Sequence, residues 1–368
     1  MRDAVWILAT FAAGLAAAAL ATPFVRRLAL RFEVVDRPNE RKVSARLRMP
    51  LLGGLAVALG FWVALAVALQ VAPDEVISSH GLWPLLAGGV LMLGLGVVDD
   101  RVGLSAPVKL AVQLGAAAIA IAGGTEIDHL TNPLSGEVVS FAPWLTWVAT
   151  IVWIVIVTNS INLIDGLDGL CAGVSAIITL ALTAVAYQAG HLGVVVAGLA
   201  LAGALAGFLP FNFPPARIFV GDTGALFVGY SLSILALEGY KRATVITFLV
   251  PLLALAVPLL DTGLSILRRL RSGKGVMQAD RLHMHHRLLN EYHGDHRPAV
   301  LSLYGLTACF CLIAISFTRL EGVTSVLFLA IVAVLTLRIL RNLGFASIEE
   351  PKAPAPLPSV ERGDGERS

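Results

Sequence analysis

The sequence predicts an all-α polytopic membrane protein of about eleven transmembrane helices, its N-terminus outside and its C-terminus cytoplasmic. Three observations predict it. Of 368 residues, 57% are hydrophobic and only 14% charged, where a soluble domain carries about a quarter of its residues charged. Apolar runs of the ~20 residues needed to cross a bilayer recur along the chain. Threaded in alternation, those runs leave nearly all Lys and Arg on one side. Residues 1–343 read as one integral-membrane domain, and 344–368, with A-P-A-P-L-P-S and then mixed charges, as a flexible cytoplasmic tail.

The first run extends from about Ala4 to Val25 and is followed by Arg26 and Arg27. A secretory signal carries its positive charges ahead of the apolar core; here they follow it, which favours an uncleaved helix. The connection from Arg26 to Arg48 holds eight Lys or Arg and reads as a cytoplasmic loop. Further spans are predicted at about 49–72, 82–98, 105–124, 142–160, 169–189, 191–209, 223–237, 243–262, 299–317 and 322–341. Only a short, weakly polar break near Gly190–Gly193 separates two of them. Of the 27 Lys and Arg, only Arg2, Lys241, Arg242 and Arg319 then fall outside, which satisfies the positive-inside rule. The formal charge of +2 says little about partners, and no nucleic acid is expected among them. Cys171, Cys309 and Cys311 lie in or beside apolar runs and read as small core residues.

The threading also brings the loops near Asp99, Asp165, Asp222 and His283 to the cytoplasmic side, and these hold the unusual polar chemistry. In N-S-I-N-L-I-D-G-L-D-G-L, Asn162, Asp165 and Asp168 are spaced by three, so on a helix they share a face. Gly166 and Gly169 leave room for a ligand to come close. D-G also marks an ordinary turn, but ionisable groups at membrane depth are functional by default. Asp99 and Asp100 end the third span; on a helix they point roughly 100° apart. One is then free for a metal or phosphate, while a basic neighbour such as Arg101 or Lys109 holds the other. A charged stop at the membrane boundary is the alternative for a lone D-D. In R-I-F-V-G-D-T-G, Arg217, Phe219 and Asp222 gather a cation for phosphate, an aromatic face for a base and an oxygen ligand for Mg²⁺. Capping of the eighth span accounts for Asp222 alone.

In Q-A-D-R-L-H-M-H-H-R-L-L, clustered histidines raise zinc, but Cys partners and H-E-x-x-H are missing. Diphosphate is the better ligand for imidazole and guanidinium. His293 and His296 read as solvated loop residues, and Arg268, Arg269, Arg271 and Lys274 as a basic run against anionic lipid. Carboxylates with few thiols favour Mg²⁺ or Mn²⁺. Mg²⁺ with Arg and His is the kit for phosphoryl transfer, and the membrane setting makes one reactant a lipid. An ion-coupled transporter and a metal-dependent lipid phosphatase are the readings from other classes.

N-S-I-N-L-I-D-G-L-D-G-L, R-I-F-V-G-D-T-G-A-L-F-V-G-Y, P-L-L-D-T and Q-A-D-R-L-H-M-H-H-R-L-L resemble the polyprenyl-phosphate N-acetylhexosamine-1-phosphate transferases. So do D-D-R and the R-K…M-P-L-L-G-G leading into the second span, over roughly residues 35 to 290. The resemblance implies transfer of a sugar-1-phosphate from a UDP-N-acetylhexosamine to undecaprenyl phosphate, releasing UMP, in a bacterial inner membrane. It implies Asp222 as the principal Mg²⁺ ligand, and Asp99 as base or nucleophile on the lipid-phosphate side, with Asp100 supporting it and the metal. Asn162, Asp165 and Asp168 become a nucleotide- and metal-facing wall, and Phe219 a stacking partner for uracil. His283, His285, His286 and Arg287 become contacts to diphosphate or sugar, and Lys42 and Arg217 contacts to the nucleotide or its phosphates.

The H-x-H-H-R pattern is similar to the WecA/TagO-type branch, which uses UDP-GlcNAc; the lipid I branch usually has three successive histidines. Ser44 stands where many members have His, and Gly103 and Leu104 stand where a third acid often follows the D-D pair. The sequence leaves the oligomeric state open, a homodimer included.

Overall fold

The helix at the centre of the molecule is the one that begins with Gly221, and the rest is arranged so that its first turn meets the site. In this computed structural model the described residues are 2–36, 49–73, 82–131, 137–239, 245–271, 283–318 and 322–342. Lys42 and the tail from 344 lie outside them.

The helices are α1 (Arg2–Arg31), α2 (Gly53–Val71), α3 (Leu82–Val102), α4 (Ala106–Ala122), α5 (Pro143–Leu163), α6 (Leu170–Gln188) and α7 (Leu192–Asn212). They continue as α8 (Gly221–Glu238), α9 (Val245–Ala254), α10 (Ala256–Arg271), α11 (Met284–Glu291), α12 (His296–Phe317) and α13 (Gly322–Asn342). Two short antiparallel ladders complete the order: β1 (Val35–Asp36) with β2 (Met49–Pro50), and β3 (His129–Thr131) with β4 (Val138–Ser140). Among the described residues, seven helices are long and apolar enough to cross a membrane, and α4 and Val326–Arg338 are shorter apolar helices. The protein is a polytopic membrane protein.

Every residue of α8 from Thr223 to Leu237 is buried. It packs on α2, α3 and α5, and glycine makes the approach close enough. A Cβ on Gly96 of α3 would stand 2.3 Å from Thr223 Cα, and one on Gly54 of α2 would stand 2.1 Å from Gly224 N. With dispersion contacts and small residues replacing hydrophobic exclusion in lipid, such backbone contact holds helices together. The weak break near Gly190 is real: α6 ends at Gln188, Gly190 takes φ +77°, and α7 starts at Leu192. His191 N donates to Ala186 O at 2.9 Å, closing the helix end.

Two expectations change. The run predicted as one span at 243–262 is two helices that meet at Leu255. Pro258 has no N–H for the carbonyl of Ala254 and its ring crowds that oxygen; Cys311 Sγ takes the freed acceptor at 3.8 Å. The second concerns Asn162, Asp165 and Asp168, which do not share a helix face, because α5 ends at Leu163. Asp165 N bonds Asn162 O at 3.3 Å, a tightened last turn, and Gly169 at φ +77° starts α6 on a new axis.

Candidate active site

Four helices deliver one cluster. Asp99 and Asp100 occupy the last turn of α3, which Gly103, at φ +70°, terminates. The turn brings Leu104 N back to donate to Asp99 Oδ1 at 2.7 Å, while Asp99 Oδ2 pairs closely with Lys109 of α4. The two adjacent acids diverge as helix geometry requires. Asp100 is held by amides, not by a basic neighbour. Its Oδ1 accepts from Asp222 N (2.9 Å), and its Oδ2 from Thr223 N (3.1 Å) and Thr223 Oγ1 (2.6 Å). It thereby places negative charge at the start of α8, where the helix dipole favours it. Gly221 makes this approach possible, since a Cβ there would stand 2.5 Å from Asp100 Oδ2.

Asp222 receives Lys109 Nζ on Oδ2 at 2.9 Å and Asn162 Nδ2 on Oδ1 at 2.7 Å. Lys109 thus joins Asp99 to Asp222. The Asp99 side chain is only 3% exposed, against 25% for Lys109 and 32% for Asp222. Of these three, the lysine and Asp222 are the more open. One turn further along both helices, Gln113 and Asn159 exchange hydrogen bonds (Gln113 Nε2 to Asn159 Oδ1, 3.3 Å; Asn159 Nδ2 to Gln113 Oε1, 2.7 Å).

The cluster opens into a cavity of about 930 Å³, whose lining includes Asp99, Asp100, Lys109, Asp165, Asp168, Phe219, Asp222 and His286. Phe219 is set by a backbone ladder: Phe219 N donates to Pro50 O (2.9 Å), Gly53 N to Phe219 O (3.1 Å) and Gly54 N to Val220 O (3.0 Å). The M-P-L-L-G-G segment is the other half of that ladder. Asp168 lines the cavity but spends Oδ2 on Ala216 N at 2.9 Å, tying the D-G-L-D-G loop to the segment ahead of Phe219.

Arg217 is not brought in: it is exposed outside the cavity lining, and its carbonyl accepts from Arg26 Nε at 3.0 Å. Ile218 O is drawn the other way by Asn212 Nδ2 at 2.9 Å. His283, His285 and Arg287 also stand outside the lining. His285 is 3% exposed and packed on Gly166, where a Cβ would stand 2.3 Å from Nε2. Burial, reinforced by the His286 charge, pushes its imidazole down to about 3, so it is neutral at physiological pH.

Sequence reasoning missed three groups. Lys109 appeared only as a neighbour, although a lysine near the start of an apolar helix is itself a signal. Asn212 lines the cavity with a buried Oδ1 that has no hydrogen-bond partner; no spacing marks it. His296, expected to be solvated, also lines the cavity because Asp295 caps α12, accepting from Arg297 N at 3.0 Å, and so fixes that helix's first residue. His293 is exposed, as expected.

Acids, a lysine and amides gather at one end of an apolar helical bundle and face one cavity, in a chain whose kinship makes it a membrane-embedded glycosyl-1-phosphate transferase. The chain belongs to glycosyl transferase family 4, whose model matches residues 82–240. It is 36% identical over 310 residues to the probable undecaprenyl-phosphate N-acetylglucosaminyl 1-phosphate transferase of Bacillus subtilis (strain 168), covering 84% of both chains. It is 34% identical to the decaprenyl-phosphate N-acetylglucosaminephosphotransferase of Mycolicibacterium smegmatis, over 77% of this chain and 75% of that one. With the undecaprenyl-phosphate alpha-N-acetylglucosaminyl 1-phosphate transferase of Escherichia coli (strain K12) it shares 27% identity over 72% of both.

Proposed function

We propose that this protein transfers N-acetylglucosamine-1-phosphate from UDP-GlcNAc to undecaprenyl phosphate, releasing UMP. The observation that carries the reading is the convergence of Asp99, Lys109 and Asp222 on one cavity, with Asn162 of a fourth helix holding Asp222 from behind the lining. The names and extent of its relatives support the same substrates. In this reading the chain crosses a bacterial inner membrane eleven times, as one domain with its N-terminus outside. The cavity then opens to the cytoplasm, where the nucleotide sugar is.

The donor set fits Mg²⁺, with Mn²⁺ as a substitute. It consists of carboxylate and amide oxygens, and among the described residues no group of three or more His, Cys, Asp or Glu is set to hold a metal. Mg²⁺ commonly takes one or two carboxylates and completes its shell with water and substrate phosphates. Asp222, whose side chain is 32% exposed, would hold it; Asp100, whose three hydrogen bonds all come from the start of α8, acts by positioning Asp222. When bound, the ion neutralises diphosphate charge and polarises the reacting phosphorus.

Phe219 stacks on uracil, and Asn212 Oδ1 offers a buried acceptor to the base. Asp165 and His286 both line the part of the cavity that takes the sugar diphosphate, and Asn162 and Asp168 fix Asp222 and the loop that carries Asp165. Lys109 draws the lipid phosphate to the cluster. An oxygen of that phosphate attacks the sugar-bearing phosphorus. The bond from this phosphorus to the bridging oxygen breaks, and UMP leaves with its electron pair. Asp99, held by Leu104 N and Lys109, receives the proton of the lipid phosphate.

The test is UMP release by the purified protein with undecaprenyl phosphate, Mg²⁺ and either UDP-GlcNAc or UDP-MurNAc-pentapeptide. Release with UDP-GlcNAc alone is expected. Release only with the pentapeptide substrate assigns the lipid I branch instead, and silence with both overturns the substrate reading.

A further inference from the structure

A carboxylate in an apolar helix is costly unless its partners are supplied. Asp261, in P-L-L-D-T on α10, is 2% exposed, and the transfer chemistry above does not use it. Both its oxygens are taken by a turn of chain far along the sequence. Oδ1 accepts from Met284 N at 2.7 Å, and Oδ2 lies 3.1 Å from His283 Nδ1. His285 Nδ1 is 3.9 Å from that same Oδ2, beyond hydrogen-bond reach. The rings of His283 and His285 lie parallel with centroids 5.6 Å apart, and those of His285 and His286 are 4.3 Å apart. On the opposite side His285 meets Gly166. The histidine turn is clamped between the α10 carboxylate and the D-G-L-D-G loop, and of its three histidines only His286 lines the cavity.

We propose that Asp261 is a positioning residue for the nucleotide sugar: it holds the start of α11 so that His286 faces the diphosphate, with His283 as the tether. The inference rests on the reading of the cavity as a UDP-sugar site. The carboxylate fixes the His283 proton on Nδ1, as outer carboxylates fix the tautomer of working histidines. It also accepts the first amide of α11, where negative charge is favoured. An amide at this position still accepts from Met284 N but turns an N–H₂ toward His283 Nδ1. That reverses the tautomer without emptying the space.

The experiment is steady-state UMP release by the full chain in detergent, varying UDP-GlcNAc and undecaprenyl phosphate separately, with a thermal unfolding curve for each variant. Asp261→Asn and Asp261→Ala are expected to raise KM for UDP-GlcNAc about tenfold or more, because misplacing a binding group by a fraction of its reach is expensive. KM for the lipid should stay within about twofold, because only the sugar wall has moved. His283→Ala should match Asp261→Ala, and the double variant should be no worse than either, since each removes the same tether. His283→Asn, whose amide N–H can stand where Nδ1–H stands, should recover most of the loss; if the alanine variants do not fold, the two asparagine variants decide. A wild-type KM for UDP-GlcNAc in Asp261→Asn, an additive double variant, or equal rises in both KM values would overturn the proposal. A wild-type chain inert with UDP-GlcNAc would overturn the underlying substrate reading, and this proposal with it.

Discussion

Replacing Asp100 by Asn separates two roles that sequence alone leaves merged. Asp100 offers two oxygens to three donors at the start of α8: Asp222 N, Thr223 N and Thr223 Oγ1. Asn offers one oxygen and sets an N–H₂ against one of those donors. Hydrogen bonds to a charged acceptor contribute about 1.5–3 kcal/mol, and a stranded buried donor costs about 1–3 kcal/mol. Loss of negative charge at a helix N-terminus removes about 0.3–1 kcal/mol more. These overlap, so the expected loss is about 2–4 kcal/mol of stability. Two assays read it: thermal unfolding in detergent, and UMP release as a function of Mg²⁺ concentration. Asp100→Asn should melt several degrees lower, with the Mg²⁺ concentration for half-maximal activity within about twofold of wild type. Asp222→Glu should melt nearer to wild type while needing more Mg²⁺. If Asp100→Asn melts like wild type and demands more Mg²⁺, Asp100 is a ligand and the capping argument is wrong.

Lys109→Met keeps the length of the side chain and removes the charge between Asp99 and Asp222. The cost should be about 1–3 kcal/mol, below that of a fully buried pair because Lys109 and Asp222 keep solvent access. UMP release should fall by about a hundredfold or more; retention of a tenth of the activity would remove the lysine from the chemistry. Gly166→Ala places a methyl 2.3 Å from His285 Nε2, and that ring is buried on its other side. Overpacking of about 1–3 kcal/mol should appear as a lower kcat/KM for UDP-GlcNAc, whereas unchanged kinetics would mean that the histidine turn yields freely.

The helices were legible because a bilayer imposes length and composition on anything that crosses it. Charge did the rest for the grouping of the loops: Asp99, Asp165, Asp222 and His286 do line one cavity. What the spacing could not convey was where a helix stops. Asn162, Asp165 and Asp168 look helical at three-residue intervals, yet the α5 axis ends at Leu163, and each ends with a different partner or place. The hold of Asp100 on the start of α8 was not legible, because two of its three partners are backbone amides, which carry no letter in a sequence. Lys109 was visible but unweighted. Its importance comes from two acids more than a hundred residues apart, one on each flank of the fold's central helix contact.

An ion-coupled carrier also sets acids inside a helical bundle, so the distinction from a transferase lies in their depth. Carriers bind near the bilayer midplane, on interrupted helices whose freed backbone groups face the cargo. Here Asp99 and Asp100 close α3, Asp222 opens α8, and Asp165 and Asp168 sit between α5 and α6. Where an apolar helix is interrupted, at Leu255, the freed Ala254 carbonyl meets Cys311 Sγ instead of an ion path. The rung below the cluster is neutral and already satisfied: Gln113 and Asn159 bond each other, and Asn159 Nδ2 also bonds Val155 O at 2.8 Å. A cation released inward from Asp222 would meet two amides whose oxygens are engaged. Carboxylates and a lysine set at helix ends suit a reactant held at the membrane surface, where a lipid phosphate and a soluble nucleotide sugar can meet.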